Sequence, residues 1–369
     1  MTAIERAHLQ FTVALQDRLA GSGNVVWSPF SVASALALAA RGAAGATRDE
    51  LVALLLGDKG AQVEDLIRVL GAAEDVVRAG SSGEQPEIAV SNTFWADEII
   101  PVRPEFAEAL TDMPSGAVRS APFQQDPDGA RDLINKDVAR TTHDLIPELL
   151  PDGAICPDTV AALVNALYLK VAWLGKFDET ATRPRDFHTP TGTKQVPTMF
   201  VRGERENFGY AKVPGWQAVR IHTVGQVDAF VLLPDGKLPD VDADTLGRLL
   251  AAPGRHPVNL RLPKLSLKLQ APLTDVLQRL GVATMFTNDA EFPGISAAPL
   301  AVQAVLHETV LKMDEQGFEG AAATAVMMRL LSFSPQRPVE VTVDRPFLVV
   351  IRHTRTGVIY FSGRVADPS

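Results

Sequence analysis

The residues of this chain best equipped for chemistry are seven histidines, one cysteine and a mostly apolar segment near the C-terminus. A zinc hydrolase sets two histidines four residues apart on one helix face. His307-Glu308 begins that spelling, but Leu311 stands where the second histidine is needed, and the other histidines have no ligand spacing. No Gly-x-Ser-x-Gly elbow, phosphate-binding loop or dinucleotide fingerprint occurs. Cys156, between Ile155 and Pro157, has no sequence neighbour that would depress its pKa and reads as a structural bystander. With no nucleophile–base constellation legible, a hydrolase is disfavoured; the chain is expected not to be an enzyme, and to need no cofactor and no metal.

Gly317 to Pro338 carries the remaining signal. A surface loop is ordinarily polar, yet this one is mostly small and apolar. Read with the two-residue period of a strand, Phe318, Gly320, Ala322, Thr324, Val326, Met328 and Leu330 form one set. The other set, Glu319, Ala321, Ala323, Ala325, Met327, Arg329 and Leu331, holds both charges. The first set can therefore face a core if the segment becomes a strand. Gly320 to Ala323 commit weakly to that conformation on their own, and Pro335 and Pro338 keep the following stretch out of a central strand. Two readings stay open, an ordinary buried strand and a segment with two states.

The rest of the chain supplies the elements that would position it. Ile4 to Leu19 reads as an amphipathic helix, and Ser28-Pro29 as the capped start of a central one running from Phe30 to Ala40. Thr47-Arg48-Asp49-Glu50 spells a capping box for the next helix. Ile88 to Trp95 reads as a strand, Asp132 to Leu150 as a helix with a broken end, and Ala161 to Trp173 as a strand buried on both faces. Further strands are expected at 218–223, 226–233, 257–269, 302–313, 342–351 and 357–365, with a helix at 273–280 ended by Gly281. Helices lead and strands follow, which favours an α+β fold.

Composition sets the outer limits. With 369 residues, 46% hydrophobic, there is apolar material for a large core. The net charge of −9 argues against a nucleic-acid surface, no apolar run is long enough to span a membrane, and the mixed charges of Ala61–Arg78 make a polyanion cofactor unexpected. One cysteine allows no internal disulfide. The N-terminus has no signal-peptide character, so the expected location is cytoplasmic, or secreted if an export signal once preceded the chain. Arg outnumbers Lys more than two to one, which hints at a bacterial source.

Several of these segments resemble the serpin family of protease inhibitors. Glu315-Gln316-Gly317-Phe318-Glu319-Gly320-Ala321-Ala322-Ala323-Thr324 is similar to the hinge of a serpin reactive-centre loop, and Val341 to Ile351 to the family's C-terminal signature. Asn24 to Ser31 with Gly42 to Thr47 resembles its helix B region, and Leu163 to Lys170 with Trp173 its third strand of sheet A. Leu262-Pro263-Lys264 and Phe292-Pro293-Gly294-Ile295-Ser296 also fit, so the likeness runs from Asn24 to Pro368.

The resemblance implies one serpin domain over 1–369, three sheets, eight or nine helices and an exposed loop at about 317–338. It implies a suicide-substrate inhibitor, a monomer that forms a covalent acyl-enzyme with a serine protease and inserts its cleaved loop into sheet A. Family spacing counted from Glu315 puts the reactive bond at Leu331–Ser332, which suits chymotrypsin-like or subtilisin-like targets, with Arg329 as the rival position. Ser28, Ser31, Asn165 and His307 match the polar shutter beneath sheet A, and Trp173 the breach where the loop enters. The alternative is a non-inhibitory serpin, a cleaved substrate, carrier or chaperone. Departures from the family pattern are Phe318 in place of Thr or Ser, a ring expected to slow insertion, Val171 in place of a glycine, and Asp137 in place of a tryptophan.

Overall fold

The computed structural model describes residues 1–19, 21, 23–58, 60–77, 85–111, 115–318 and 336–369. Among them are eight α-helices, α1 (Ala3–Leu19), α2 (Pro29–Gly42), α3 (Gly45–Leu56), α4 (Val63–Ala72), α5 (Pro104–Thr111), α6 (Pro127–Thr141), α7 (Ala243–Ala251) and α8 (Thr274–Arg279). None is long and apolar enough to cross a membrane.

Strands make three sheets. The first has seven, in the order β1 (Val25–Trp27), β17 (Ile359–Val365), β16 (Phe347–His353), β9 (Val227–Pro234), β8 (Trp216–His222), β7 (Phe208–Val213) and β10 (Gly254–Arg255). A four-stranded sheet runs β15 (Val339–Thr342), β11 (Val258–Pro263), β6 (Gly192–Gly203) and β5 (Arg183–Thr189). The third runs β12 (Leu265–Pro272), β13 (Leu306–Met313), β14 (Gly317–Phe318), β4 (Ala161–Ala172), β2 (Glu87–Ala96) and β3 (Gly116–Ser120).

Alternation explains how the layers join. Along β2, Phe94 enters the main core with Leu36, Leu169 and Tyr360, while its neighbour Trp95 packs on the other face with Ile134 and Val138 of α6. The six-stranded sheet is thus covered on both sides, which is why its central strand β4 reads as a nearly unbroken apolar run, interrupted by Asn165 and Lys170. A separate cluster seats α7 and Leu9 of α1 on the seven-stranded sheet through Leu246, Leu249, Leu232 and Val350.

Several local expectations hold. Ser28 caps α2, its Oγ accepting from Ser31 N–H at 3.1 Å with Pro29 at the first helical position, and Gly281 follows α8 at φ 92°. Others are overturned. α6 starts at Pro127 behind an Asp126 cap and ends at Thr141, before His143 and Asp144, both at positive φ. α3 starts at Gly45 without a side-chain cap. The capping-box groups are engaged elsewhere: Thr47 Oγ1 accepts from Glu291 N–H, and Glu50 accepts from the Ala283 and Thr284 N–H groups. The runs 257–269 and 342–351 are each cut by a change of sheet. Lys264 separates β11 from β12, and 343–346 separate β15 from β16. Residues 302–305 precede β13 without joining it.

Candidate functional site

The site is built where β14 enters the six-stranded sheet. After β13 the chain turns through Asp314, Glu315 and Gln316, held by Asp314 Oδ1 accepting from the Gln316 and Gly317 N–H groups. It then runs back between β13 and β4, pairing Phe318 with Met313 on one side and Val171 on the other, and Gly317 with Ala172. A Cβ on Gly317 would fall 2.1 Å from the Val171 carbonyl oxygen, so only glycine fits there.

Trp173 closes the top of this junction. Its backbone N–H donates to Gln316 O at 2.9 Å and its indole N–H to Asp314 O at 2.8 Å. Its ring meets Phe318 edge-on, with centroids 4.7 Å apart. Phe318 is 2% exposed. The ring expected to obstruct insertion is already seated, opposite the valine that stands for a family glycine. Glu315 is anchored beside it by Lys264 Nζ and Thr182 Oγ1, both at 2.7 Å. Burial alone would raise this carboxyl, but those hydrogen bonds outweigh it and hold it below the usual range.

Below Phe318, among the described residues, no hydrogen-bonded pairing joins β4 to β13. We call this junction the seam. Ser28 and His307 meet beneath it: Ser28 N–H donates to His307 Nε2 at 3.1 Å, and Thr309 Oγ1 lies 2.5 Å from the same nitrogen. Burial lowers the His307 pKa to about 4, so the ring is neutral. Ser31 joins through its N–H bond to Ser28. Asn165 is not bonded to His307. Its Nδ2 donates to Asn92 Oδ1, and Asn92 passes the chain on through Ser115 to Glu74. Asn92, Ser115 and Thr309 were not singled out from sequence. Thr309, two residues after His307 on a strand, was within reach of the two-residue period, whereas Ser115 lies in a turn with no such signal.

Two cavities occupy the seam. A small one lies among Ser28, Ser31, Asn165, Leu167, Glu308 and Thr309. A larger one of about 110 Å³ lies at the lower end, walled by Leu36, Phe94, Leu163, Phe292, Val302 and Leu306. Cys156 lies near the latter, accepting from Gln303 Nε2 at 3.0 Å. Hydrogen bonds from Thr159 and Gln303 hold its thiol below the usual range, which corrects the reading that nothing local would do so. On α6, Asp137 pairs with Arg119 of β3 at 2.7 Å and with Arg140 at 2.5 Å, an ionic contact at the family's tryptophan position. The remaining expected residues, Glu319, Gly320, Ala321, Ala322, Ala323, Thr324, Leu331 and Ser332, lie outside the described residues.

Three sheets, eight helices and a hinge doubled back beside a buried tryptophan define a class, and the comparisons agree with it. The family model for serpins, described as serine protease inhibitors, matches residues 6–368. The chain belongs to the serpin family. Serpin-Z2A of Oryza sativa subsp. japonica is 31% identical, covering 97% of this chain and 96% of its own length. Iris of the tick Ixodes ricinus is 32% identical over 97% of each. The structure of uncleaved ovalbumin superposes with a TM-score of 0.84 at 23% identity, covering 99% of this chain and 100% of that one, a likeness of fold. These relatives lend no support to the bacterial source read from composition.

Proposed function

We propose that this serpin is a suicide-substrate inhibitor of serine proteases, cleaved at Leu331–Ser332. The target's serine Oγ would attack the Leu331 carbonyl carbon. An ester to the protease forms, the peptide bond to Ser332 breaks, and the Ser332 amine leaves with a proton. The freed segment then fills the seam and carries the acylated protease away from its docking position, which distorts the protease's active site before water can release it. Leucine at the bond favours proteases with an apolar primary pocket. The loop spans about 317–338 of a single domain, and the inhibitor acts as a monomer.

The observation that carries this reading is Gly317–Phe318 lying as a short strand between β13 and β4. Continued in the same register, that pairing brings Ala322 opposite Leu167 and Thr309, and Thr324 opposite Asn165 and His307. Ser28, Ser31, Asn165 and His307 then act as the shutter, and Trp173 as the breach. The even-numbered residues follow Phe318 to the core side. Val326, Met328 and Leu330 would together gain on the order of 6 kcal/mol from burial. Phe318 is buried beforehand, so its share is already realised in the intact molecule.

The test is incubation with chymotrypsin followed by denaturing electrophoresis. A complex that survives SDS supports the inhibitor. A loop cut at 331–332 with no complex would make this a substrate-type serpin and overturn the inhibitory reading.

A further inference from the structure

We infer that the small seam cavity binds a monovalent metal cation, Na⁺ or K⁺, which links β4 to β13 in the intact protein. Two buried oxygens carry the argument. Asn165 Oδ1 and Glu308 Oε2 have no hydrogen-bond partner, and both residues line the same cavity of about 10 Å³, room for one water-sized occupant. Glu308 is 6% exposed. An amide oxygen and a carboxylate oxygen are both acceptors, so neither can satisfy the other, and a buried acceptor left without a partner is costly.

The neighbouring groups leave that need standing. Lys268 Nζ lies 2.7 Å from Glu308 Oε1 and meets the carboxylate through that oxygen, but it leaves Oε2 and Asn165 Oδ1 without a donor. His307 offers the cavity no donor through Nε2, because that nitrogen already accepts the Ser28 N–H. Leu145, Ile146, Leu167, Val310 and Phe361 complete the wall with apolar surface.

The donor set selects the ion. Every candidate ligand is oxygen: the Glu308 carboxylate, the Asn165 amide and the hydroxyls of Ser28, Ser31 and Thr309. Hard oxygen donors suit hard cations, and one carboxylate already shared with Lys268 tolerates no more than a single added charge. Among the described residues no group of three or more His, Cys, Asp or Glu is placed for a metal ion, which disfavours a divalent or transition ion. Asn165 belongs to β4 and Glu308 to β13, so the ion closes the seam that the loop must open. In the register given above, Ala323 and Thr324 would arrive beside Glu308 and Asn165, and the ion would have to leave. That consequence rests on the inhibitory reading; the binding site does not.

The test is thermal unfolding of the intact protein in sodium, potassium and N-methylglucamine chloride at equal ionic strength. Sodium or potassium is expected to raise the midpoint by several degrees and to saturate with concentration, as mass action requires. Glu308→Gln is expected to abolish the difference between salts. Asn165→Asp, which adds charge at the cavity, is expected to enlarge it, and serves where Glu308→Gln weakens the fold. Equal midpoints in all three salts mean that water fills the cavity and overturn the proposal. A salt difference that survives Glu308→Gln places the ion elsewhere and overturns it too. Neither result bears on complex formation with chymotrypsin, so failure of this site and failure of the inhibitory reading are told apart.

Discussion

The seven-stranded and six-stranded sheets are made from the same kinds of residue and are left in opposite conditions. In the first, β9 is buried at every position and is laddered without a break to β8 on one side and β16 on the other. In the second, β2 pairs with β4 over ten residues and β12 with β13 over eight, yet among the described residues only Gly317 and Phe318 stand between β4 and β13. Each region holds a buried neutral histidine with the same local solution. His8 Nε2 accepts the Ile359 N–H at 3.0 Å against the closed sheet, and His307 Nε2 accepts the Ser28 N–H at 3.1 Å beneath the seam. The Nε2 acceptor of each ring is met in the same way. The difference is one of supply. Every interior strand of the seven-stranded sheet has both neighbours within the described fold, whereas the seam waits for one that, in our proposal, is delivered only when the loop is cut.

The largest expected effect tests that difference directly. Cleavage of the loop at 331–332 should raise the thermal midpoint by roughly 10 °C or more, since the open seam gains a central strand while the closed sheet gains nothing. An unchanged or lowered midpoint would mean that the seam does not take the loop.

Next in size is the pair of alternating positions. Ala322→Glu should abolish the inhibitory complex and leave a substrate, because the register sends residue 322 to the core side. Position 323 would lie beside Glu308, so Ala323→Glu should slow complex formation less severely and Ala323→Lys hardly at all. Equal losses in Ala322→Glu and Ala323→Lys would end the register argument.

Leu331→Arg should redirect inhibition from chymotrypsin to trypsin, measured as second-order inhibition rates, with the fold untouched. Unchanged selectivity would place the reactive bond elsewhere, Arg329 being the first candidate. Smaller again is Phe318→Ala, which empties the contact with Trp173 and should cost the intact protein about 3–5 kcal/mol. An unaltered melting curve would show that this ring does not hold the top of the seam.

The smallest effect concerns pH. Burial lowers the pKa of both His8 and His307 from 6.5 to about 4. Unfolded, they bind protons near 6.5, so between about 4 and 6.5 the unfolded state carries more protons. Their contribution is full above 6.5 and is lost as the pH falls towards 4. His8→Gln and His307→Gln should each flatten the fall in midpoint over that window. Equal steepness in both variants and the parent would remove the histidines from the explanation.

Much of the frame was legible in advance for reasons visible in particular residues. Ser28-Pro29 is a local signal with a local outcome. Ala161 to Ala172 is apolar but for Asn165 and Lys170 because both faces of β4 are covered. Where the reading failed, the decision was made at a distance. Thr47 and Glu50 spell a capping box, but partners from 283–291 claim them. The run 257–269 is apolar and alternating across Lys264, and nothing in that pattern says the two halves belong to different sheets. Within the site, Ser28, Ser31, His307, Asn165 and Trp173 were found through family likeness. Glu308 was missed because the unpartnered state of its second oxygen depends on which strand does not pair with β13.

Lys264 leaves a last consequence. It stands at the break between β11 and β12, its N–H is bound to Pro197 O of β6 at 2.9 Å, and its ammonium holds Glu315 at the foot of the loop. Under the proposed mechanism a tethered protease hauled along the molecule would exert tension, and that tension would have to be resisted somewhere. Here the anchorage is a residue fastened to two sheets at once, so the load passes into the four-stranded sheet as well as along β13. In our proposal the loop would then pull against a braced fulcrum, and the recoil would fall on the captive more than on the frame that holds it.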